Sequence, residues 1–227
     1  MKQVIVISGG SEGLGYEMAK ILAPKHAVVI TAANGVKLAK AAKALKCGHE
    51  AFDVSDHLGV QKAVKNILKK YKKIDCLINN AGIWIEGKLK DNDPHRIRLV
   101  MEVNALGTIL LSRAVISQME KRKQGMIMNI ISQAGLFGKA DRSVYTASKF
   151  AITGFTKSIE MELKEKGIRV IGLYPGFLKT NIYKKVGIMK DMTKALHPKE
   201  VAKLVKFIVE SDSKTSFPEV GIKFIEN

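Results

Sequence analysis

Short, continuous apolar runs alternate with amphipathic stretches along the whole chain, and this alternation limits the folds open to it. The apolar runs, rich in Val and Ile, lie at 4–8, 27–31, 49–53, 75–79, 126–131, 168–174 and, more weakly, 220–225. Continuous apolar strands of this kind are typical of a parallel sheet buried on both faces. The amphipathic stretches have helical spacing and lie at 15–23, 36–45, 58–71, 95–121, 144–166 and 198–211.

This β-α pattern, repeated about six times, predicts an α/β fold with helices on both faces of a mainly parallel, seven-stranded sheet. Such a doubly wound, three-layer arrangement is Rossmann-type, and it binds ligands at the carboxyl ends of its strands. No linker-like or repeated segment divides the 227 residues. We therefore expect one domain, residues 1–227, to carry both the cofactor site and the substrate site.

The net charge of +17 could indicate nucleic acid, an anionic membrane or an acidic substrate as partner. The excess is mostly lysine and is spread along the chain, and aromatic residues make up only 6%. Few aromatic residues leave little material for stacking on bases. We interpret the charge as a solvated surface and expect no nucleic-acid partner, while an anionic substrate stays open.

Cysteine content and hydropathy bear on the compartment. Cys47 and Cys76 lie far apart and form no metal-type pair, so we expect neither a disulfide framework nor a metal site. The apolar run at the N-terminus stops at Ile7, which is too short for a secretion signal. No apolar stretch approaches the roughly 20 residues of a membrane span. These features predict a cytoplasmic protein without a membrane partner.

Glycines follow the first predicted strand, where Gly9, Gly13 and Gly15 form the pattern G-x-x-x-G-x-G at the start of the first helix. Glycine allows a tight turn and close approach of the backbone to a pyrophosphate, and the helix N-terminus offers free N–H groups to it. A glycine-rich turn without a ligand is the alternative. Its position between strand and helix favours nucleotide binding.

Polar residues also follow the third and fourth strands. Asp53 could accept a hydrogen bond from the exocyclic amine of adenine, or it could cap the helix that begins near Ser55 or Asp56. The segment 79–82 reads Asn-Asn-Ala-Gly. An asparagine there can brace neighbouring backbone and the small residues leave room for a ring, although the segment could be only a turn.

A candidate catalytic group lies further along. Tyr145 and Lys149 are four residues apart, which places them on one face of a helix, and Ser132 lies at the end of the preceding strand. Such a trio can give or take a proton at an oxygen whose carbon gains or loses hydride. A tyrosine and a lysine at this spacing are also common on exposed helices.

Together these motifs resemble the classical short-chain dehydrogenase/reductase family over nearly the full length of the chain. They occur in the family's order and spacing: Gly9-x-x-x-Gly13-x-Gly15, Asp53, Asn79-Asn80-Ala81-Gly82, Asn104, Ser132, Tyr145-x-x-x-Lys149, and Pro175-Gly176 followed by Thr180. The resemblance implies an NAD(P)(H)-dependent oxidoreductase that transfers hydride between nicotinamide and a small carbonyl or alcohol substrate. A cofactor-sensing or nucleic-acid-binding protein on the same fold is the alternative.

The resemblance also implies a role for each matching residue. Tyr145 would be the general acid and base, Lys149 would lower the tyrosine pKa and bond the nicotinamide ribose, and Ser132 would hold the substrate oxygen. Asn104 would bind a water that links Lys149 to solvent. The cofactor-binding residues would be Gly9, Ser11, Glu12, Gly13, Leu14, Gly15, Ala33, Asn34, Asp53, Val54, Asn80, Ala81, Gly82, Tyr145, Lys149, Pro175, Gly176 and Thr180.

The end of the second strand bears on the choice of cofactor. An NAD site usually has an acid there, and an NADP site usually has an arginine near 33 or a basic residue near 12. The chain has Ala33 and Glu12 at these places, so it departs from both patterns. Ser11, Asn34 and Lys37 could still reach a 2′-phosphate, which favours NADP(H) over NAD(H).

The substrate is specified less well. Trp84, Phe177 and the segments 134–137 and 180–194 are the expected walls of its pocket. The last of these mixes apolar and basic residues, so it could cover a hydrophobic carbonyl compound or one with an anionic tail, such as an acyl-carrier thioester. The family resemblance further implies a homodimer or homotetramer. Apolar positions along 150–159 fit either that interface or simple core packing.

Overall fold

The computed structural model describes residues 2–225, which form a parallel sheet of seven strands with helices on both faces. The strands are β1 (Val4–Ser8), β2 (Ala27–Ala32), β3 (Gly48–Ala51), β4 (Cys76–Asn79), β5 (Gly125–Ile130), β6 (Ile168–Pro175) and β7 (Glu219–Ile222). They lie in the order β3-β2-β1-β4-β5-β6-β7, and each neighbouring pair is parallel. The predicted doubly wound α/β fold is confirmed.

The helices lie where the amphipathic pattern predicts them. They are α1 (Gly13–Leu22), α2 (Gly35–Leu45), α3 (His57–Tyr71), α4 (Pro94–Met101), α5 (Gly107–Arg122), α6 (Ser143–Leu163) and α7 (Pro198–Glu210). A π-helical segment, Glu102–Leu106, joins α4 to α5. The third strand is shorter than predicted and ends at Ala51, so Asp53 lies in the turn that follows it.

Two hydrophobic cores lie on opposite faces of the sheet, as the period of a strand requires. In β1, Ile5 and Ile7 face the core formed with α1, α2 and α7, whereas Val6 faces the core formed with α3, α5 and α6. All three side chains are almost completely buried. Burial on both faces explains why the strands are continuously apolar rather than alternating.

The helical stretch Pro94–Arg122 is long and apolar enough to cross a membrane by length and composition alone. In the fold it is an inner helix of the domain, because Leu111, Val115 and Met119 pack into the core against the sheet. Core packing therefore accounts for part of its apolar character, whereas Leu106 and Ile109 of the same stretch are exposed.

A buried polar network fixes α5 and α6 to the sheet. The Asn79 amide donates to Ser112 Oγ and to Asn129 Oδ1, both at 2.8 Å, and the Asn129 amide donates to Thr156 Oγ1 at 2.8 Å. Buried polar groups are costly unless they are paired, so this network permits few alternative positions of the two helices. It holds α6, which carries Tyr145 and Lys149, in one register against β5.

Candidate active site

A cavity of about 990 Å³ opens at the carboxyl ends of the strands, where β1 lies between β2 and β4. The strand order reverses at this point, which is where open α/β sheets bind their ligands. The predicted residues that line the cavity are Gly9, Ser11, Glu12, Gly13, Leu14, Ala33, Asn34, Asp53, Val54, Asn80, Ala81, Gly82, Ser132, Tyr145, Lys149, Pro175, Gly176 and Thr180. Gly15 and Asn104 lie behind its wall.

The glycine-rich turn is shaped by its backbone. Gly9 and Gly13 have φ angles of +65° and +57°, which side chains rarely allow. A Cβ on Gly15 would collide with the carbonyl oxygen of Gly9, so only glycine lets α1 pack this closely on the turn. Glu12, at the N-cap of α1, makes no capping bond with its side chain. The first N–H groups of α1 are thus left for an anion in the cavity.

Asn80 ties the end of β4 to the end of β1. Its amide donates to Ser8 O at 3.0 Å and to Gly9 O at 3.3 Å. In return, Ser8 Oγ accepts from the backbone N–H groups of Asn80 and Ala81, at 2.9 and 3.0 Å. These bonds hold the glycine-rich turn against the β4 loop and set the width of the cavity between them.

Asp53 faces the cavity and also braces its own turn. Its Oδ1 accepts from the N–H of Ser55 at 2.9 Å and from the hydroxyl of Ser55 at 2.7 Å. The cap of α3 is Asp56, whose Oδ1 accepts from the N–H of Leu58 at 3.1 Å. The capping alternative therefore belongs to Asp56, and the role of Asp53 toward adenine stays a prediction.

Tyr145 and Lys149 lie on the buried face of α6, and Ser132 lies opposite them just beyond β5. Lys149 Nζ donates to Ile130 O at 3.2 Å and lies 5.7 Å from the centroid of the Tyr145 ring. Burial lowers the pKa of Lys149 to about 8, because few groups replace the water around its ammonium. Ser132 Oγ accepts from the N–H of Ala134 at 3.1 Å, which orients the hydroxyl.

The phenol of Tyr145 is held in its neutral form. Burial raises its pKa well above the usual value, and the neighbouring Tyr183 raises it further. The nearby Ser132 hydroxyl and the charge of Arg142 favour a lower pKa but are outweighed. The sequence predicted a lowered pKa from Lys149, but this ammonium bonds the end of β5 instead, and burial dominates.

Asn104 lies in the π-helical segment and is fully buried. Its Oδ1 accepts from the N–H of Ile83 at 2.8 Å, and its amide donates to Ile83 O and to Ser148 Oγ, both at 3.1 Å. A Cβ built on Gly82 would lie 3.3 Å from Asn104 Oδ1 and 3.8 Å from Lys149 Nζ. Asn104 therefore fixes the β4 loop beside Lys149.

An aromatic cluster covers Tyr145. The ring centroid of Trp84 lies 4.3 Å from that of Tyr145 and 4.9 Å from that of Tyr183, and Phe177 lies 5.4 Å from Tyr183. Trp84 and Phe177 were expected in the pocket wall. Tyr183 belongs to the segment 180–194, which was also expected in the wall, although the sequence did not single out this residue within it.

Two carboxylates hold the segment 180–190 over the cavity. Glu86 accepts from Lys190 Nζ at 2.7 Å and from Trp84 Nε1 at 3.1 Å, and Arg142 Nη2 lies 3.6 Å from it. On the opposite side, Glu12 pairs with Lys185. Partial burial opposes ionisation of both acids, but their basic partners outweigh it and lower both pKa values. Sequence reasoning missed the anchoring at Glu86.

Comparisons with known proteins agree with this geometry. The family described as short chain dehydrogenase matches residues 3–191. The chain is 34% identical over 220 residues to carbonyl reductase family member 4 of Xenopus tropicalis, covering 93% of this chain and 92% of the relative. It is 33% identical over 218 residues to the 3-oxoacyl-[acyl-carrier-protein] reductase of Synechocystis, covering 91% and 88%.

Among solved structures, one titled "ElxO with NADP Bound" is 27% identical, with a TM-score of 0.87 over 98% of this chain and 97% of that one. The chain belongs to the short-chain dehydrogenase family. It is an NAD(P)-dependent oxidoreductase that acts on a carbonyl or alcohol group. Membership does not favour the cofactor-sensing or nucleic-acid-binding alternatives.

Proposed function

We propose that this enzyme reduces a small carbonyl compound with NADP(H), and that Tyr145 gives the proton to the carbonyl oxygen. One observation carries the proposal: Tyr145, Ser132 and Lys149 line the same cavity as the glycine-rich turn. A proton donor and a phosphate-binding turn in one cavity are what coupled hydride and proton transfer needs.

The cavity fits a nicotinamide dinucleotide. The uncapped start of α1 suits the pyrophosphate, since Gly13 and Leu14 line the cavity there. Asp53, Pro175, Gly176 and Thr180 line the same cavity. In this proposal Asp53 holds adenine, while Pro175, Gly176 and Thr180 surround the nicotinamide. When bound, the nicotinamide supplies the hydride.

The proton step belongs to this chain's own residues. A phenol whose pKa is raised stays protonated near neutral pH, which is the form a general acid needs in reduction. Ser132 offers a second hydroxyl to the carbonyl oxygen of the substrate and fixes the position of that oxygen. Lys149 keeps a positive charge below about pH 8, which stabilises negative charge that develops nearby.

Preference for NADP(H) rests on the end of β2. Ala32, Ala33 and Asn34 line the cavity there and place no carboxylate against a 2′-phosphate. Lys37, in the first turn of α2, also lines the cavity. The NADP-bound neighbour named above is consistent with this preference.

The substrate half of the cavity favours an apolar carbonyl compound with an anionic tail. Its wall is formed by aromatic side chains, including Trp84, Phe137 and Tyr183. Arg96 and Lys139 line the same half, and basic groups there attract an anion. The printed names of the relatives, a carbonyl reductase and an acyl-carrier-protein reductase, agree with such a substrate.

Further features complete the proposal. Leu106, Ile109, Phe150 and Met161 are exposed on the π-helical segment, α5 and α6, and we assign them to a homodimer or homotetramer interface. Ile152 and Ile159, which the sequence left open, are buried in the cores. One domain with both sites, a cytoplasmic location and a solvating role for the lysines outside the cavity belong to the same proposal.

Oxidation of NADPH and of NADH, followed by absorbance over a panel of carbonyl compounds with and without anionic tails, tests the proposal. Tyr145→Phe is expected to lose at least about 100-fold in kcat, because it removes the proton donor but keeps the ring. Its affinity for cofactor, measured by fluorescence titration, should stay within a few-fold of the wild type. Undiminished turnover in this variant would refute the role of Tyr145.

A further inference from the structure

The carboxylate of Glu12 lies between two lysines from distant parts of the chain. Lys37 Nζ, from α2, lies 2.7 Å from Oε2, and Lys185 Nζ, from the segment after β6, contacts Oε1. The side chain of Glu12 is only 27% exposed, whereas those of the lysines are 49% and 56% exposed. The acid is thus the inner member of the cluster, and the lysines reach inward to it.

The cluster occupies the phosphate-binding end of the cavity. Glu12, Lys37 and Lys185 all line it. Glu12 belongs to the glycine-rich turn, and Lys37 follows β2, where the ribose 2′ substituent of a dinucleotide lies in this fold. On the other side, Thr180 Cγ2 would lie 3.8 Å from a Cβ on Gly13, so the segment that carries Lys185 closes on the turn.

We propose that Glu12 competes with the cofactor's 2′-phosphate for Lys37, and so sets how strongly this enzyme prefers NADP(H) over NAD(H). The inference rests on the proposed function. Lys37 is the only basic side chain near the end of β2 that lines the cavity within residues 2–225. Because Glu12 is bonded to Lys37, the charge of this lysine is largely neutralised. The wild type therefore has only a weak preference for NADP(H).

The size of the effect follows from the charges. A 2′-phosphate monoester carries about −1.5 to −2 charges near neutral pH, by analogy with phosphorylated side chains. NAD(H) lacks this group. Restoring the unit charge of Lys37 about 6 Å from this phosphate, in a solvated cleft, changes the affinity by about 3- to 10-fold. Removing the charge of Glu12 is expected to raise the NADP(H) preference by this factor.

Lys185 gives a second, separable expectation. It reaches the cavity from the segment after β6 and contacts the other carboxylate oxygen of Glu12, beside the glycine-rich turn that would bind the pyrophosphate common to both dinucleotides. Lys185→Gln should therefore weaken NADPH and NADH binding by similar factors, whereas Lys37→Gln should weaken NADPH alone. The two variants thus distinguish the contribution of the 2′-phosphate to binding from that of the pyrophosphate.

The experiment measures the dissociation constants of NADPH and NADH, without substrate, for the wild type, Glu12→Gln, Lys37→Gln and the double variant. Glu12→Gln should raise the ratio of NADPH to NADH affinity by about 3- to 10-fold. In the Lys37→Gln background, Glu12→Gln should change this ratio less, because the lysine for which Glu12 and the phosphate compete is gone. Matched controls are Glu17→Gln on α1 and Lys40→Gln on α2, since neither residue lines the cavity.

An unchanged or lowered ratio in Glu12→Gln would overturn the inference, provided that the wild type binds a dinucleotide. An equal effect of Glu12→Gln with and without Lys37 would overturn the competition through Lys37. If the wild type bound neither dinucleotide, the proposed function would fail, and this inference with it. The dissociation constants of NADPH and NADH therefore distinguish a failure of the proposed function from a failure of the role of Glu12, before any turnover is measured.

Discussion

Replacing Lys149 by methionine should stabilise the cofactor-free protein while abolishing its activity. Lys149 is only 5% exposed, and its one hydrogen bond in the structure goes to the carbonyl oxygen of Ile130. The ammonium is therefore desolvated without a compensating carboxylate. Methionine has a similar length and no charge, so it removes this unfavourable burial and keeps most of the packing.

The magnitude follows from the pKa of Lys149. Burial lowers this pKa from 10.5 to about 8, and each tenfold change in proton affinity corresponds to about 1.4 kcal/mol. Well below pH 8 the lysine is charged in both the folded and the unfolded state, and burial of the charge disfavours folding by about 3 kcal/mol. Between pH 8 and 10.5 only the unfolded state keeps the proton. The unfavourable contribution therefore fades as the pH rises through this window.

The assay is urea unfolding of the wild type and Lys149→Met near pH 7 and near pH 9.5. The variant's advantage in free energy of unfolding should shrink by about 2 kcal/mol between the two pH values. Differences in packing and hydrogen bonding do not depend on pH, so they cancel in this comparison. Lys69→Met, at an exposed position on α3, is the control for the effect of replacing a solvated lysine by methionine at the two pH values. A difference between Lys149→Met and wild type that is the same at both pH values would refute the claim that the buried charge is uncompensated.

Two further predictions concern the loops around Tyr145. Glu86→Gln should weaken the ion pairs with Lys190 and Arg142. In steady-state kinetics, KM for an anionic carbonyl substrate should then rise several-fold more than kcat changes. A fall in kcat alone would contradict this prediction. Asn104→Ala should lower the free energy of unfolding by about 1–3 kcal/mol, because it leaves the partly buried backbone N–H and C=O of Ile83 without their partner. Chemical denaturation measures this loss, and an unchanged midpoint and slope would exclude it.

The sequence predicted the sheet and the strand-end residues because both leave local patterns. Strands buried on two faces are continuously apolar, and a tight turn against a phosphate requires glycine at fixed spacing, as at Gly9, Gly13 and Gly15. In parallel sheets these turns meet at one edge, so residues far apart in sequence could be placed together. Helical spacing placed Tyr145 and Lys149 on one face of a helix, and the resemblance to the family implied their roles.

Contacts between loops had no such pattern. Lys190 and Glu86 are 104 residues apart, and Lys185 and Glu12 are 173 apart, in a chain where lysine is common everywhere. Any of many lysines could have paired with either acid. The direction of the Tyr145 pKa was missed for a related reason, because it depends on burial beneath Trp84 and Tyr183, whose packing only the folded chain shows.

These loop contacts give the two halves of the site different mechanical properties. The glycine-rich turn is fixed by backbone geometry and by the amide of Asn80, so loosening it would break the partly buried hydrogen bonds from Asn80 to Ser8 O and Gly9 O. The segment 180–190 is held by the pairs at Glu12 and Glu86, and partly exposed ion pairs contribute at most about 1 kcal/mol each. Opening this segment would break those ion pairs and the packing of Tyr183 against Trp84 and Phe177, but it would leave the bonds that hold the glycine-rich turn in place. We therefore expect the substrate to enter by movement of this segment at Tyr183.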